Sequence, residues 1–146
     1  EKSASCTHNH MEGIKGAQAV ALGVYLARKG ATKDEIRTEI EVRFDYDLHR
    51  QLTDIRRDYG FDISCQGSVP EAVIAFLEST SYEDAVRNAI SLGGDTDTQA
   101  CIAGAIAEAY YISVPMKIAN FAKKRLDETI LRVIRDFKRK YNAKLN

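Results

Sequence analysis

Asp95, Asp97 and Thr98 follow two glycines in the stretch S-L-G-G-D-T-D-T-Q-A at residues 91–100. Glycine reaches positive φ without a Cβ clash, so Gly93-Gly94 can turn the chain sharply. If the segment after the bend is extended, Asp95 and Asp97 project to the same side, and Thr98 adds a hydroxyl at the start of the next helix. Three hard oxygen donors, with no sulfur or imidazole in the same stretch, suit Mg²⁺, Mn²⁺ or Ca²⁺ better than zinc or copper. A bridging carboxylate leaves room for a second ion. A plainer role fits the same residues: aspartate is a strong N-cap, and Asp97 in particular would satisfy the free amides and dipole of a helix beginning at Thr98.

Two further groups could do chemistry. His8 and His10 flank Asn9 in T-H-N-H at a helix entrance, where imidazole donors and exposed helical amides hold phosphate oxygens. The alternative is a solvated polar cap, and an H-x-H zinc site would lack companions. Gln66, Gly67 and Ser68 precede Val69-Pro70 and either line a pocket or serve as ordinary loop and cap residues. Cys101, with no adjacent base, reads as a buried small hydrophobe. Tyr110 and Tyr111 read as core or hydrogen-bonding anchors.

The elements that must position these residues are helical. A helix is predicted over residues 11–29, with Ile14, Ala17, Val20, Ala21, Val24 and Tyr25 at helical spacing and Gly30 as its stop. Gly13, Gly16 and Gly23 each cost about 1 kcal/mol inside a helix relative to alanine, which points to a closely packed neighbour. Thr32 with Glu35 makes a capping box for a helix to about residue 43. From residue 45 to 64 the pattern weakens, and Leu48, Leu52 and Ile55 fit one or two short helices that Gly60 ends. Val69-Pro70 marks a helix start, because proline in a first turn has no amide to waste. Ser81, with Asp84 three residues on, caps a helix that stops at Gly93-Gly94. Residues 98–111 form the next, with a small-residue face of Ala100, Ala103, Gly104 and Ala107. Pro115 resets the chain, and residues 127–144 give a last amphipathic helix striped by Leu126, Ile130, Val133, Phe137 and Tyr141. No stretch alternates with period two for long enough to demand a sheet. The expected fold is therefore all-α, a single globular domain over residues 1–146 with about seven helices.

Composition bounds the partners. The 146 residues hold 21 basic and 21 acidic side chains, so no overall field recruits nucleic acid or an anionic membrane. No apolar run approaches the roughly 20 residues of a membrane span. Three widely spaced cysteines without a C-x-x-C pair argue for reduced thiols in a cytoplasmic protein. The Lys123, Lys124, Arg125 run and the basic run at residues 138–140 read as solvated helix faces.

Three stretches together resemble one family, the ADP-ribosylglycohydrolases related to the dinitrogenase reductase activating glycohydrolase. They are T-H-N-H-M-E-G-I-K-G-A-Q-A-V-A at residues 7–21, S-V-P-E-A-V at 68–73 and S-L-G-G-D-T-D-T-Q-A at 91–100. The resemblance implies an all-α orthogonal assembly around two Mg²⁺ or Mn²⁺ ions, which hydrolyses the bond between ADP-ribose and a modified acceptor. It implies Asp95, Asp97 and Thr98 as metal ligands and His8 as a contact to the ADP-ribose diphosphate. Ser68 and Gly94 complete the candidate substrate contacts. This chain departs from the family in having Met11 where many relatives have proline, and Ile112 where a Tyr-Tyr-Gly segment has glycine. The upstream Thr-Asp-Asp-Thr type metal motif, the glycine-rich loop and the catalytic acid of the family are not found, so the resemblance implies the C-terminal half of the enzyme. Such a half would be active only with a complementing N-terminal half, or would be a binding module for ADP-ribose or an all-α interaction domain. An apolar surface left bare by the missing helices would drive self-association.

Overall fold

Thr32 and Glu35 form the capping box that the sequence predicts: Thr32 Oγ1 accepts from the Glu35 amide, and Glu35 Oε2 accepts from the Thr32 amide at 2.7 Å. In the computed structural model, which describes residues 2–7 and 9–141, this cap opens the second of eight helices. They are α1 Met11–Arg28, α2 Lys33–Phe44, α3 Leu52–Asp58, α4 Cys65–Leu77, α5 Tyr82–Ser91, α6 Thr96–Tyr111, α7 Met116–Lys123 and α8 Glu128–Tyr141. No strand occurs among the described residues, and the fold is all-α. None of the described helices is long and apolar enough to cross a membrane.

The helices fall into two compact units. The unit Glu1–Ser113 holds α1 to α6, and the unit Val114–Asn146 holds α7 and α8. In the first unit α4 is the centre: every residue from Ser68 to Leu77 is buried, as expected of a helix apolar on all its faces. Helices α1, α3, α5 and α6 pack on it, and α6 also packs on α1 and α5. Two glycines of α1 make that possible. A Cβ on Gly16 would lie 3.1 Å from Val69 Cγ2 of α4, and one on Gly23 would lie 3.1 Å from Ile106 Cδ1 of α6. The close packing expected from the glycines is there at both positions.

Four sequence expectations are corrected. Helix α4 begins at Cys65, before Val69-Pro70, because Ser64 caps it: Ser64 Oγ accepts from the Gly67 amide at 3.1 Å. Pro70 therefore sits inside the helix, where the ring leaves one carbonyl of the preceding turn without its amide partner. Helix α6 begins at Thr96 rather than Thr98, so its N-cap is Asp95 and Asp97 lies in its first turn. Pro115 does more than reset the chain, since it is the N-cap of α7, which brings the described helices to eight. Cys101 is exposed. Helix α6 turns Gln99, Ala103, Ile106 and Ala107 inward, and residue 101 lies about 200° around the axis from residue 99.

Tyr110 and Tyr111 are anchors, as expected. The Tyr110 ring meets Phe76 edge to face at 5.4 Å, and Tyr111 Oη donates to the Ser79 carbonyl at 2.8 Å.

Candidate site at the double-glycine turn

The turn after α5 takes its shape from two left-handed residues. Gly93 has φ +78° and Gly94 φ +71°, and the Thr96 amide closes the bend onto the Gly94 carbonyl at 3.0 Å. Gly93 has open space where a side chain would go, but a Cβ on Gly94 would lie 2.8 Å from the Gly60 carbonyl oxygen and 2.9 Å from Tyr59 Cε1. Glycine is required at position 94 for two independent reasons, backbone angle and space.

Beyond the bend, Asp95 is half-buried while Asp97 and Thr98 are exposed. Asp95 occupies the N-cap position but makes no side-chain capping bond. Asp97 is held below the usual carboxylate range, first by the neighbouring Asp95 side chain and then by the amides of Thr98 and Asp97. Asp97 Oδ1 accepts from the Thr98 amide at 3.1 Å, so part of the plain amide-satisfying role is present as well. Asp95 at the N-cap, Asp97 in the first turn and Thr98 one residue on bring two carboxyls and a hydroxyl to the helix start.

The turn leans on a second segment, the loop between α3 and α4. Tyr59 is the C-cap of α3. Its hydroxyl donates to the Gly67 carbonyl at 2.9 Å. Burial raises the Tyr59 phenol above its ordinary value. A hydrogen bond with Ser68 opposes that rise, and the charges of Glu71, Asp62 and Asp95 add to it. Asp62 caps the same knot: its Oδ1 accepts from the Ser64 amide at 2.7 Å, and the Ser64 side chain first, then that amide, lower the Asp62 carboxyl from its ordinary value. A Cβ on Gly67 would collide with that carboxylate.

Ser68 and Gly94, distant in sequence, are thus brought together through Tyr59. Ser68 is buried and its hydroxyl donates to the Asp62 carbonyl at 2.9 Å, which ties down the first turn of α4. His8 lies outside the described residues. His10 is the N-cap of α1, its Nδ1 accepting from the Glu12 amide at 3.2 Å. Tyr59 also lines a cleft of about 360 Å³ with Arg50, Gln51, Asp54, Ile55, Asp58 and Glu71. There Arg50 Nη1 donates to the buried Glu71 carboxylate at 2.8 Å.

Sequence reasoning missed Tyr59 and Asp62, and read Gly60 only as a helix stop. The available signal was D-Y-G-F-D at residues 58–62, a helix stop carrying an aromatic residue beside a glycine. It fell in the region where hydrophobic spacing was weakest.

The family follows from comparison: the sequence profile of the ADP-ribosylglycohydrolases matches residues 1–143, and the chain belongs to that family. It is similar to an uncharacterized protein of Archaeoglobus fulgidus, with 28% identity over 139 residues, covering 86% of this chain and 46% of the relative. The chain thus spans about half the length of that relative. No solved structure matches it.

Proposed function

We propose that this chain supplies one wall of a metal-dependent ADP-ribosyl glycohydrolase site, as the C-terminal portion of such an enzyme, in the cytoplasm. Family membership supports a glycohydrolase-type function. The observation that carries the metal reading is the Asp95 carboxyl, which stands at an N-cap without capping and is near enough to Asp97 to lower its carboxyl from the ordinary value. Paired carboxylates flanked by a threonine hydroxyl fit a hard divalent ion, Mg²⁺ or Mn²⁺.

Among the described residues no group of three or more His, Cys, Asp or Glu side chains comes together as a metal site. Two near-octahedral shells need about six ligands each, so Asp95, Asp97 and Thr98 supply one side of a two-ion centre. Water and a complementing N-terminal half, or a second copy of the chain, would supply the other. When bound, the ions supply charge that stabilises the leaving acceptor and orients water at the anomeric carbon. The residues of this chain position. The Gly94 bend holds the carboxylates at the rim, Ser68 anchors the turn beneath them, and His8 is assigned to the diphosphate of ADP-ribose or an ADP-ribosylated acceptor.

The reading is tested by thermal unfolding with and without millimolar Mg²⁺ or Mn²⁺. A ligand at about ten times its dissociation constant stabilises by about 1.4 kcal/mol, and that gain is expected in wild type and absent in Asp97→Ala. Stabilisation that persists in Asp97→Ala removes the assignment. The chain alone is expected to release negligible ADP-ribose, and robust metal-dependent release by this polypeptide would overturn its incompleteness.

A further inference from the structure

A bend containing two left-handed glycines has little of its own to keep it in one shape. The usual remedy at a helix start is a capping side chain, and α6 has none: Asp95 occupies the cap without bonding there. Gly93 meets nothing on its open side. Apart from the Thr96 amide on the Gly94 carbonyl, what limits the bend is contact from the α3–α4 loop onto Gly94. The Gly60 carbonyl and the edge of the Tyr59 ring close the space that a Cβ would occupy, at 2.8 and 2.9 Å.

Tyr59 is itself held at both ends. Its amide donates to the Ile55 carbonyl at 2.9 Å, continuing α3, and its hydroxyl donates to the Gly67 carbonyl in the first turn of α4. The ring is a strut between two helix ends, and Gly94 rests on its edge. Hard divalent ions are exacting about where their oxygens lie, and ligand sets work only when the groups behind them are fixed to about half an ångström.

We propose that Tyr59 is the positioning residue of the Asp95, Asp97 and Thr98 set, acting through the Gly94 bend with its ring as the brace and its hydroxyl as the mooring. The inference rests on the metal reading above for its consequence, but the brace itself belongs to the metal-free chain. The ring carries the contact with Gly94, and the phenol only steadies the ring. Tyr59→Phe therefore keeps most of the function, and Tyr59→Ala loses it.

Two readouts on the full chain test this. In metal-free protein, amide hydrogen exchange at residues 93–97 reports opening of the bend. It is expected to quicken about tenfold in Tyr59→Ala, to stay within about threefold of wild type in Tyr59→Phe, and to leave the amides of α1, α2 and α5 unchanged. In Mn²⁺ titrations followed by electron paramagnetic resonance, removing a group that orients metal ligands costs about ten- to a hundredfold in affinity. Tyr59→Ala is expected in that range, with Tyr59→Phe rescuing it. Where Tyr59→Ala does not hold the fold, Tyr59→Leu keeps apolar bulk without the flat ring edge, and the same two losses are expected of it. A folded Tyr59→Ala or Tyr59→Leu with wild-type exchange at residues 93–97 overturns the proposal, as does exchange quickened evenly across the helices. Wild-type protein that binds no Mn²⁺ removes the metal reading and leaves the exchange experiment to judge the brace on its own.

Discussion

Ile112 ends α6 at φ +70°, a β-branched residue in the left-handed region. That conformation costs an L-residue roughly 1–2 kcal/mol, which glycine avoids at the expense of a looser unfolded chain. The family resemblance places glycine at this position, and the side chain of Ile112 is 89% exposed, so its removal gives up little packing. Ile112→Gly is expected to stabilise the chain by about 0.5–1 kcal/mol in urea unfolding, and a loss of stability would show that the isoleucine has a partner. Tyr46 offers a pH-dependent counterpart. It is buried, its hydroxyl has no hydrogen-bond partner, and Lys15 Nζ lies 4.7 Å from its ring centroid. Burial first, then Glu12 and Cys65, push the phenol from 10.0 up to about 12. The unfolded chain therefore releases this proton first: the contribution to stability is whole below pH 10 and is lost as pH rises through about 12. Wild-type stability should fall more steeply than that of Tyr46→Phe between roughly pH 10 and 12, and parallel curves would mean that the phenol ionises freely in the fold. Asp95, Asp97 and Thr98 could be proposed from sequence because the chemistry that marks them is local to one stretch. Tyr59 was not, since its role depends on Gly94, which only folding brings beside it.

Lys33 shows what elements add to residues. It opens α2, yet its Nζ donates to the Leu77 carbonyl at 3.0 Å and to the Ser79 carbonyl, closing the C-terminal end of α4, which has no basic residue in its last turn. The same ammonium faces the rings of Phe76, Tyr110 and Tyr111 at 5.2–5.7 Å. One cation thereby joins α2, the end of α4 and the end of α6. Carbonyls stripped of a charged donor in a partly buried place cost about 1–3 kcal/mol, so Lys33→Met, which keeps the stem, is expected to lower stability by that order in urea unfolding. A change below about 0.5 kcal/mol would assign the contact to solvent exchange. Helix starts with a side-chain signature were readable in sequence, as Thr32 and Ser81 show: Ser81 Oγ accepts from the Asp84 amide at 3.1 Å. The start of α4 was misread because proline gave the louder signal, and the true cap, Ser64, lies in F-D-I-S-C at residues 61–65, where the apolar residues alternate rather than recur at helical spacing. Helix α7 was missed because its eight residues have no side-chain cap.

At the scale of the whole molecule, the zero net charge conceals a division. The unit Val114–Asn146 carries ten of the chain's 21 Lys and Arg but only three of its 21 Asp and Glu, leaving the unit Glu1–Ser113 acidic by the same margin. Composition taken over the full length could not show this; the boundary at Ser113 had to come from the fold. Neither α7 nor α8 contains a buried residue, and the stripe read from sequence on the last helix is bare, with Ile130, Val133, Phe137 and Tyr141 all exposed. Burying apolar surface is worth about 25 cal/mol per Å² before the cost of association is met, and an exposed stripe of four large side chains is the kind of surface that draws copies together. The isolated chain is therefore expected to self-associate in light scattering. Val133→Glu with Phe137→Ser should shift it toward monomer while leaving the unfolding of the first unit unchanged, because neither residue belongs to the core of α1 to α6. Salt supplies the sign of the electrostatic part. Attraction between basic and acidic units of different copies weakens as screening shortens the Debye length to about 3 Å at 1 M, whereas apolar contact does not. Association that survives 1 M salt and is lost in the double variant belongs to the stripe. A wild-type chain that stays monomeric at low and high salt would show that the exposed stripe does not drive association.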